Sequence, residues 1–499
     1  MPPYLKRKDV RTRLFWVAVL YIAEGLPFGL FSDVFPVAFR EHHASLSEIG
    51  VISLLGLPWT LKFLWAPAVD HYRHHRLWML GADALMALAL SRLAWAYGVG
   101  HMALLTIGFF TLLSSTNDIA IDGYTLELLH IGEMGIGNGL RIGFYRAGML
   151  AAGLVLIAST YWGWRVAYIL AAALLVLDGL MCLQAPKEQS RAPVDRQSVG
   201  HELASLMHRP RALALVLTLL VGALWLANSA LRFSRDLPHF FLYVAGAALA
   251  LWISSFIRRA PPKASAADGP LFGALLEITA RPGIWPVFAF ILLYKLGDSA
   301  IGFMIKPFWV DRGFSAAQIG LVSVMAGIGL SILGGLLGGY ITDRIGIYKA
   351  LWALGLVQVL PNLGYALCAK LLPRAGIGTP LPLTHEALLY SVSALESFAG
   401  GLGTAAFLAF LMAVVRKERA ATEYALLSSL FAVSLRLAGF ASGFGAQDFG
   451  YADYFFLTFF LALPAYLLLP AAGRMLTTMA QTESGPTAGP GSDRNPRPS

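Results

Sequence analysis

The sequence predicts an all-α polytopic membrane protein built as two six-helix halves with an additional central helix pair, about 14 transmembrane helices in all. Three observations carry that prediction. Apolar residues make up 57% of the 499 and charged residues only 13%, about half the charged share of a soluble domain, and the mean hydropathy is +0.64. Apolar runs long enough to span a bilayer recur along the whole chain. Lys and Arg gather in alternate loops, as the positive-inside rule requires.

This composition excludes several classes. A soluble globule needs far more charge to cover itself, so a soluble enzyme or a disordered scaffold does not fit. The net charge of +9 reads as cytoplasmic loop charge that sets orientation. Basic and aromatic residues are not interleaved on any soluble stretch, so no nucleic-acid partner is expected. Cys182 and Cys368 both lie inside apolar runs, which speaks against a disulfide framework or a thiolate metal site.

In chain order, residues 1–13 form a basic cytoplasmic N-terminus. The apolar run that follows passes Glu24 and Pro27 to about Phe39 without a small-residue cleavage site, so it is an uncleaved span and not a secretory signal. The N-terminal half, 14–185, holds spans near 14–38, 48–69, 77–97, 102–125, 140–160 and 164–184. A linker, 186–283, carries two further apolar segments, 212–231 and 237–257. The C-terminal half, 284–474, holds spans near 284–310, 318–342, 348–372, 386–414, 422–444 and 452–473. The remainder, 475–499, is rich in Gly, Pro, Ser and Thr and is expected to be a disordered cytoplasmic tail. With both termini cytoplasmic, about 24 of the 38 Lys and Arg fall in cytoplasmic segments and about 7 outside.

An internal repeat supports the two halves. Asp70 opens the basic loop containing Arg73 and Arg76 after the second span, and Asp343-Arg344 closes the second span of the later half. The glycines at 334, 335, 338 and 339 and at 400, 401 and 403 lie within apolar helical runs, where close helix packing is their expected use, not phosphate binding. His71, His74 and His75 share one short basic loop with only Asp70 as a further ligand, so no metal is expected there. No Ser/His/Asp or Cys/His set can be assembled at plausible depth, so no enzyme is expected.

Ionisable residues inside spans are costly and are functional candidates by default. The chain places Glu24 and Asp33 in span one, Lys62 in two, Asp83 and Arg92 in three, Asp118 and Asp122 in four, Arg141 and Arg146 in five, and Asp178 in six. The second half adds Lys295, Asp298, Lys306, Glu396 and Arg436. Asp118 and Asp122, four apart, share a helix face and repel unless one is protonated or a cation is near. They are either proton-coupling carboxylates or structural partners of Arg141 or Arg146. Lys295 and Asp298, three apart, can pair. Arg92, Arg141 and Lys306 either act inside the bundle or reach along the helix to its end.

Several of these segments resemble a known family. Gly339 to Gly346 is similar to the signature loop of the major facilitator superfamily. Glu24-Gly25-Leu26-Pro27, Leu61 to Pro67 leading to Asp70, and Asn117 to Gly123 resemble its peptide and acetyl-coenzyme A transporter branch. Leu293 to Asp298, Glu396 to Thr404 and Tyr424 to Ser429 are similar to AmpG-type muropeptide permeases. Position 117 is Asn where that group usually has Gln, and the extra helix pair lies between the halves. Siderophore-uptake relatives share the Lys295 to Asp298 segment.

The resemblance implies a monomeric, proton-driven importer of anhydromuropeptides in the bacterial inner membrane, serving cell-wall recycling by alternating access, with no cofactor other than the proton gradient. Another anionic solute, acetyl-coenzyme A or a siderophore, is the alternative on the same fold, and a non-transporting membrane sensor is a remote one. A muropeptide carries sugars and carboxylates, so Lys62, Arg146, Lys295 and Arg436 are expected to meet the acids. Asp298 accompanies Lys295, and Asn117, Tyr145 and Tyr294 are expected to contact sugar or peptide groups. Asp118, Asp122, Glu24 and Glu396 are the proton-coupling candidates. Asp70 with Arg73 or Arg76, and Asp343 with Arg344, are expected to form the cytoplasmic gate of the outward-facing state.

Overall fold

The computed structural model describes residues 8–62, 65, 69, 74–95, 100–129, 134–187, 278, 281–379, 381–415 and 420–484. The expected helix pair at 212–231 and 237–257, the loop residues Asp70, His71 and Arg73, and the chain beyond 484 lie outside these.

The first span is one long helix in three parts: α1 (Lys8–Gly29), a π-helical turn (Leu30–Val34) and α2 (Phe35–Glu41). The wide turn comes just before Pro36, which has no N–H to return to the preceding turn. The second span is also broken, into α3 (Leu46–Leu54) and α4 (Leu57–Leu61), with Pro58 at the start of the second piece. There follow α5 (His75–Trp95), α6 (His101–Leu128) and α7 (Met134–Leu183). The second half comprises α8 (Ile284–Tyr294), α9 (Leu296–Asp311) and the short α10 (Ala316–Gln318), which runs through a π-helical stretch (Ile319–Ala326) into α11 (Gly327–Ile345). It ends with α12 (Ile347–Leu371), α13 (Leu383–Ala413), α14 (Ala420–Leu461) and α15 (Pro464–Ser484).

Nine helices among the described residues are long and apolar enough to cross a membrane. Two of these contain a reversal: α7 at Gly163 (φ 79°) and α14 at Gly450 (φ 75°), left-handed backbone that favours glycine. The two glycines stand at the same turn of each half. A second structural echo is the capping box, Ser45 with Glu48 at α3 and Ser315 with Gln318 at α10, which opens the second helix of each half.

One expectation is corrected at the C-terminus. Residues 475–484 continue α15 and are not a disordered tail. The stripe Ala465, Leu469, Ala472, Met475 and Met479 is buried against the C-terminal half, a helical spacing that anchors the extra turns.

The glycines divide by position. Gly334 and Gly338 on α11 meet the backbone of α13 near Phe398 and Leu402, and Gly401 meets Ser331 in return, so a Cβ at any of them collides. Gly335, Gly339 and Gly400 face open space.

The apolar core is single at one end of the bundle and double at the other. At one end a continuous cluster joins Phe31, Phe35 and Ile52 of the first half to Phe303, Phe308 and Phe440 of the second. At the other end the halves have separate cores, one around Tyr21, Ile121 and Tyr124 and one around Phe290, Tyr294 and Phe410. The bundle is therefore closed between its halves at one end and divided at the other.

Candidate functional site

The intramembrane charges gather where the shared core gives way to the two separate ones. On the N-terminal half, α4, α6 and the first limb of α7 bring four of them together. Lys62 Nζ lies 3.7 Å from Asp118 Oδ2 and 3.3 Å from Asp122 Oδ2. Arg141 reaches Asp122 Oδ1 at 2.5 Å, and the Tyr21 hydroxyl donates to the same oxygen at 2.7 Å. The Arg141 guanidinium also covers the Tyr21 ring at 4.8 Å. The i, i+4 pair on α6 thus has its cation, and the two carboxylates differ. Asp122 is bonded on both oxygens, whereas Asp118 is buried and has Lys62 as its longer contact. Glu24 is buried nearby with Oε2 unpartnered.

Arg146, one turn beyond Arg141 on α7, goes elsewhere. Its guanidinium donates to Ser331 Oγ of α11 at 2.7 Å, a bond across the two halves. Tyr145 lies beside Phe28, with ring centres 5.9 Å apart.

On the C-terminal half the α8–α9 break falls at Lys295. That puts its ammonium 2.9 Å from Asp298 and 2.9 Å from Gln358 of α12, which confirms the i, i+3 pair and supplies a third partner that sequence spacing could not reveal. Glu396, half-buried, accepts from Ser397 Oγ at 3.2 Å. Lys306 does not reach out to a helix end. It pairs with Asp33 of the π-helical turn at 3.1 Å, again across the halves. Arg92, by contrast, is exposed and bonds Thr106 beside the end of its own helix.

Arg436 has the most unusual setting. It is 3% exposed, its guanidinium lies over the rings of Phe31 at 5.2 Å and Trp59 at 5.5 Å, and its Nε has no partner. Gly56, in the α3–α4 break, makes the room; a Cβ there would run into the guanidinium. Among the described residues no carboxylate pairs with it. A buried cation held by aromatic faces, without an anion, is electrostatically incomplete.

Two expected substrate contacts are placed away from this region. Tyr294 is buried in the C-terminal core, stacked on Phe407 at 5.4 Å, with its hydroxyl donating to the Leu351 carbonyl. Asn117 is 1% exposed and donates to Asp83 inside the N-terminal half. Of the gate residues, Asp70 and Arg73 are outside the described set. Arg76 bonds the Leu183 and Ala185 carbonyls at 3.2 and 3.1 Å, tying α5 to the end of α7. Asp343 and Arg344 are exposed at the divided end, with Arg344 over the Tyr340 ring at 5.0 Å.

Sequence reading missed the contacts of the closed end. Arg40 of α2 binds Asp311 of α9 through two bonds, 2.5 and 2.6 Å, and Tyr451 donates to the same carboxylate at 2.9 Å. The only signal in the sequence was a charge at the end of the first span of each half.

Comparison with known proteins supplies a frame for this geometry. A family profile described as Major Facilitator Superfamily matches residues 17–240. An uncharacterized protein of Haemophilus influenzae is 30% identical over 462 residues, 89% of this chain and 91% of that one. A protein of Escherichia coli K12 named anhydromuropeptide permease is 27% identical, covering 90% of this chain and 78% of its own length. Among solved structures, a bacterial homologue of the human lysosomal transporter Spinster, inward-facing and unoccupied, superposes with a TM-score of 0.61 at 13% identity. It covers 95% of this chain and 99% of its own.

Proposed function

The chain belongs to the major facilitator superfamily, and on that premise we propose that it imports anhydromuropeptides across the bacterial inner membrane, coupled to protons moving inward. The observation that carries the reading is Arg436, a buried guanidinium between the halves with aromatic faces beside it and, among the described residues, no carboxylate to neutralise it. A substrate that brings both a carboxylate and sugar rings suits that setting, because the planar fork takes the acid and Trp59 offers a stacking face. Similarity to the E. coli anhydromuropeptide permease along most of the chain supports the same substrate class.

In this scheme the termini are cytoplasmic, so the divided end faces the cytoplasm and the closed end, held by Arg40, Asp311 and Tyr451, faces outward. Substrate entering from outside meets Arg436 when those contacts open. Proton binding at Asp118 removes one of the two carboxylate charges beside Lys62, which stays paired with Asp122, and so leaves the region more positive for an anionic substrate; loss of the proton on the cytoplasmic side restores the charge and resets the carrier. Glu24 and Glu396 are further proton candidates, one in each half.

The test is uptake into right-side-out vesicles of labelled anhydromuropeptide, with acetyl-coenzyme A and a ferric siderophore in parallel. Uptake of the muropeptide alone is expected. Movement of either other solute in its place overturns the substrate and leaves the carrier mechanism standing.

A further inference from the structure

One buried carboxyl group has no part in the transport scheme above. Asp83, on α5, is 0% exposed. Its Oδ1 accepts a bond from Asn117 Nδ2 at 2.9 Å, while its Oδ2 has no partner, and the remaining oxygen of the amide, Asn117 Oδ1, has none either. Among the described residues no cation pairs with Asp83. The second limb of α7 packs directly over it: a Cβ at Gly179 would stand 3.1 Å from Asp83 Cβ and 3.5 Å from Oδ2.

An ionised carboxylate in this place is strongly disfavoured, because one neutral amide donor is all that compensates its burial. The surroundings do not help. Among the described residues, Asp178 and Cys182 flank the Gly179 contact on α7, one residue before it and three after, and both are acids that bring no compensating positive charge. From α6, the hydrogen-bond partner is the uncharged Asn117. Two side chains already joined by one hydrogen bond therefore each end in an oxygen that can only accept. A single proton resolves this. Placed on Asp83 Oδ2, it makes that oxygen a donor, which Asn117 Oδ1 can accept, and the two groups close into an acid–amide ring.

We propose that Asp83 and Asn117 form a proton-binding site separate from the Lys62–Asp118–Asp122 cluster, in which Asp83 carries the proton as a neutral carboxylic acid and Asn117 holds it in place. Asn117 and Asp118 are neighbours on α6, so the two sites sit on adjacent faces of one helical turn. The proposal does not depend on which solute the protein carries.

The test is infrared spectroscopy of the full-length protein in liposomes at neutral pH, comparing the unaltered chain with Asp83→Asn and Asn117→Leu. A protonated-carboxyl band is expected in the unaltered protein, lost in Asp83→Asn and moved to higher frequency in Asn117→Leu, where the acid has lost its amide donor. Asp83→Asn is also expected to keep its thermal stability, since Asn has the shape of the neutral acid and a donor where the acid holds its proton. An identical carboxyl band in all three proteins, or a large fall in the stability of Asp83→Asn, overturns the proposal. So does a band that disappears on adding sodium at constant ionic strength, which assigns the site to a metal cation. Should Asp83→Asn fail to fold, carbon-13 labelling of aspartate in Asp118→Asn, which removes the other aspartate proton candidate, still decides: an aspartic-acid band is expected to remain, and its absence overturns the proposal.

Discussion

Arg40 grips both carboxylate oxygens of Asp311, at 2.5 and 2.6 Å, from the first span of one half to the first span of the other. Both side chains are largely withdrawn from solvent, and the contact sits over the continuous apolar core of the closed end. A bidentate pair of this kind is short, directional and specific.

Breaking it should open that end. A charge-assisted bond contributes about 1.5–3 kcal/mol, enough to move a two-state equilibrium tenfold or more. Arg40→Ala and Asp311→Asn are each expected to raise the share of molecules open at this end, and the double variant should do little more than either single one. Distances between spin labels on the ends of α2 and α9 measure it; unchanged distributions in both variants would show that the apolar core alone closes the bundle.

Arg436 separates binding from stability. Replacing a lone buried guanidinium with an apolar chain of similar length removes a desolvated charge, so Arg436→Met should melt no lower than the unaltered protein. Substrate binding should weaken at least thirtyfold, about 2 kcal/mol. Arg436→Lys keeps the charge but not the flat fork above Phe31 and Trp59, and should bind poorly as well. Calorimetry and thermal unfolding on the same preparations give both numbers.

The two aspartates of α6 should fail differently. Asp122 accepts from Tyr21, Arg141 and Lys62, so Asp122→Asn removes the charge that all three donors share and should destabilise the fold by about 2–3 kcal/mol. Asp118→Asn should fold normally and still exchange substrate, but its uptake should no longer respond to an imposed proton gradient. Equal melting temperatures for the two variants, or gradient-driven uptake by Asp118→Asn, would contradict this division.

Gly56 should tolerate nothing larger. A methyl group there meets the Arg436 guanidinium, so Gly56→Ala is expected to lower affinity for the anion severalfold, with little change in the amount of folded protein. A binding isotherm of the purified variant checks it.

The helices and their order were legible because each span leaves a run of apolar residues, and the structure places most of their ends within a few residues of the expected ones. The extension of α15 was not, because Met475 and Met479 lie in a stretch whose polar residues dominate a window average. Among the charges, the sequence gives spacing along one helix and nothing across helices. Lys295 with Asp298 was therefore readable, whereas Arg146 with Ser331 and Lys306 with Asp33 required the halves to be docked. The surroundings of Tyr294 were not legible for a related reason: the sequence shows an aromatic beside a lysine, and only the packed helices show it buried in the core against Phe407.

The most direct test of coupled import needs no imposed gradient. In proteoliposomes with the protein oriented right-side-out and equal pH on both sides, adding anhydromuropeptide outside should draw protons inward with it, and the external medium should become alkaline in proportion to uptake. Muropeptide accumulation with no accompanying proton movement would contradict coupling through the buried carboxylates.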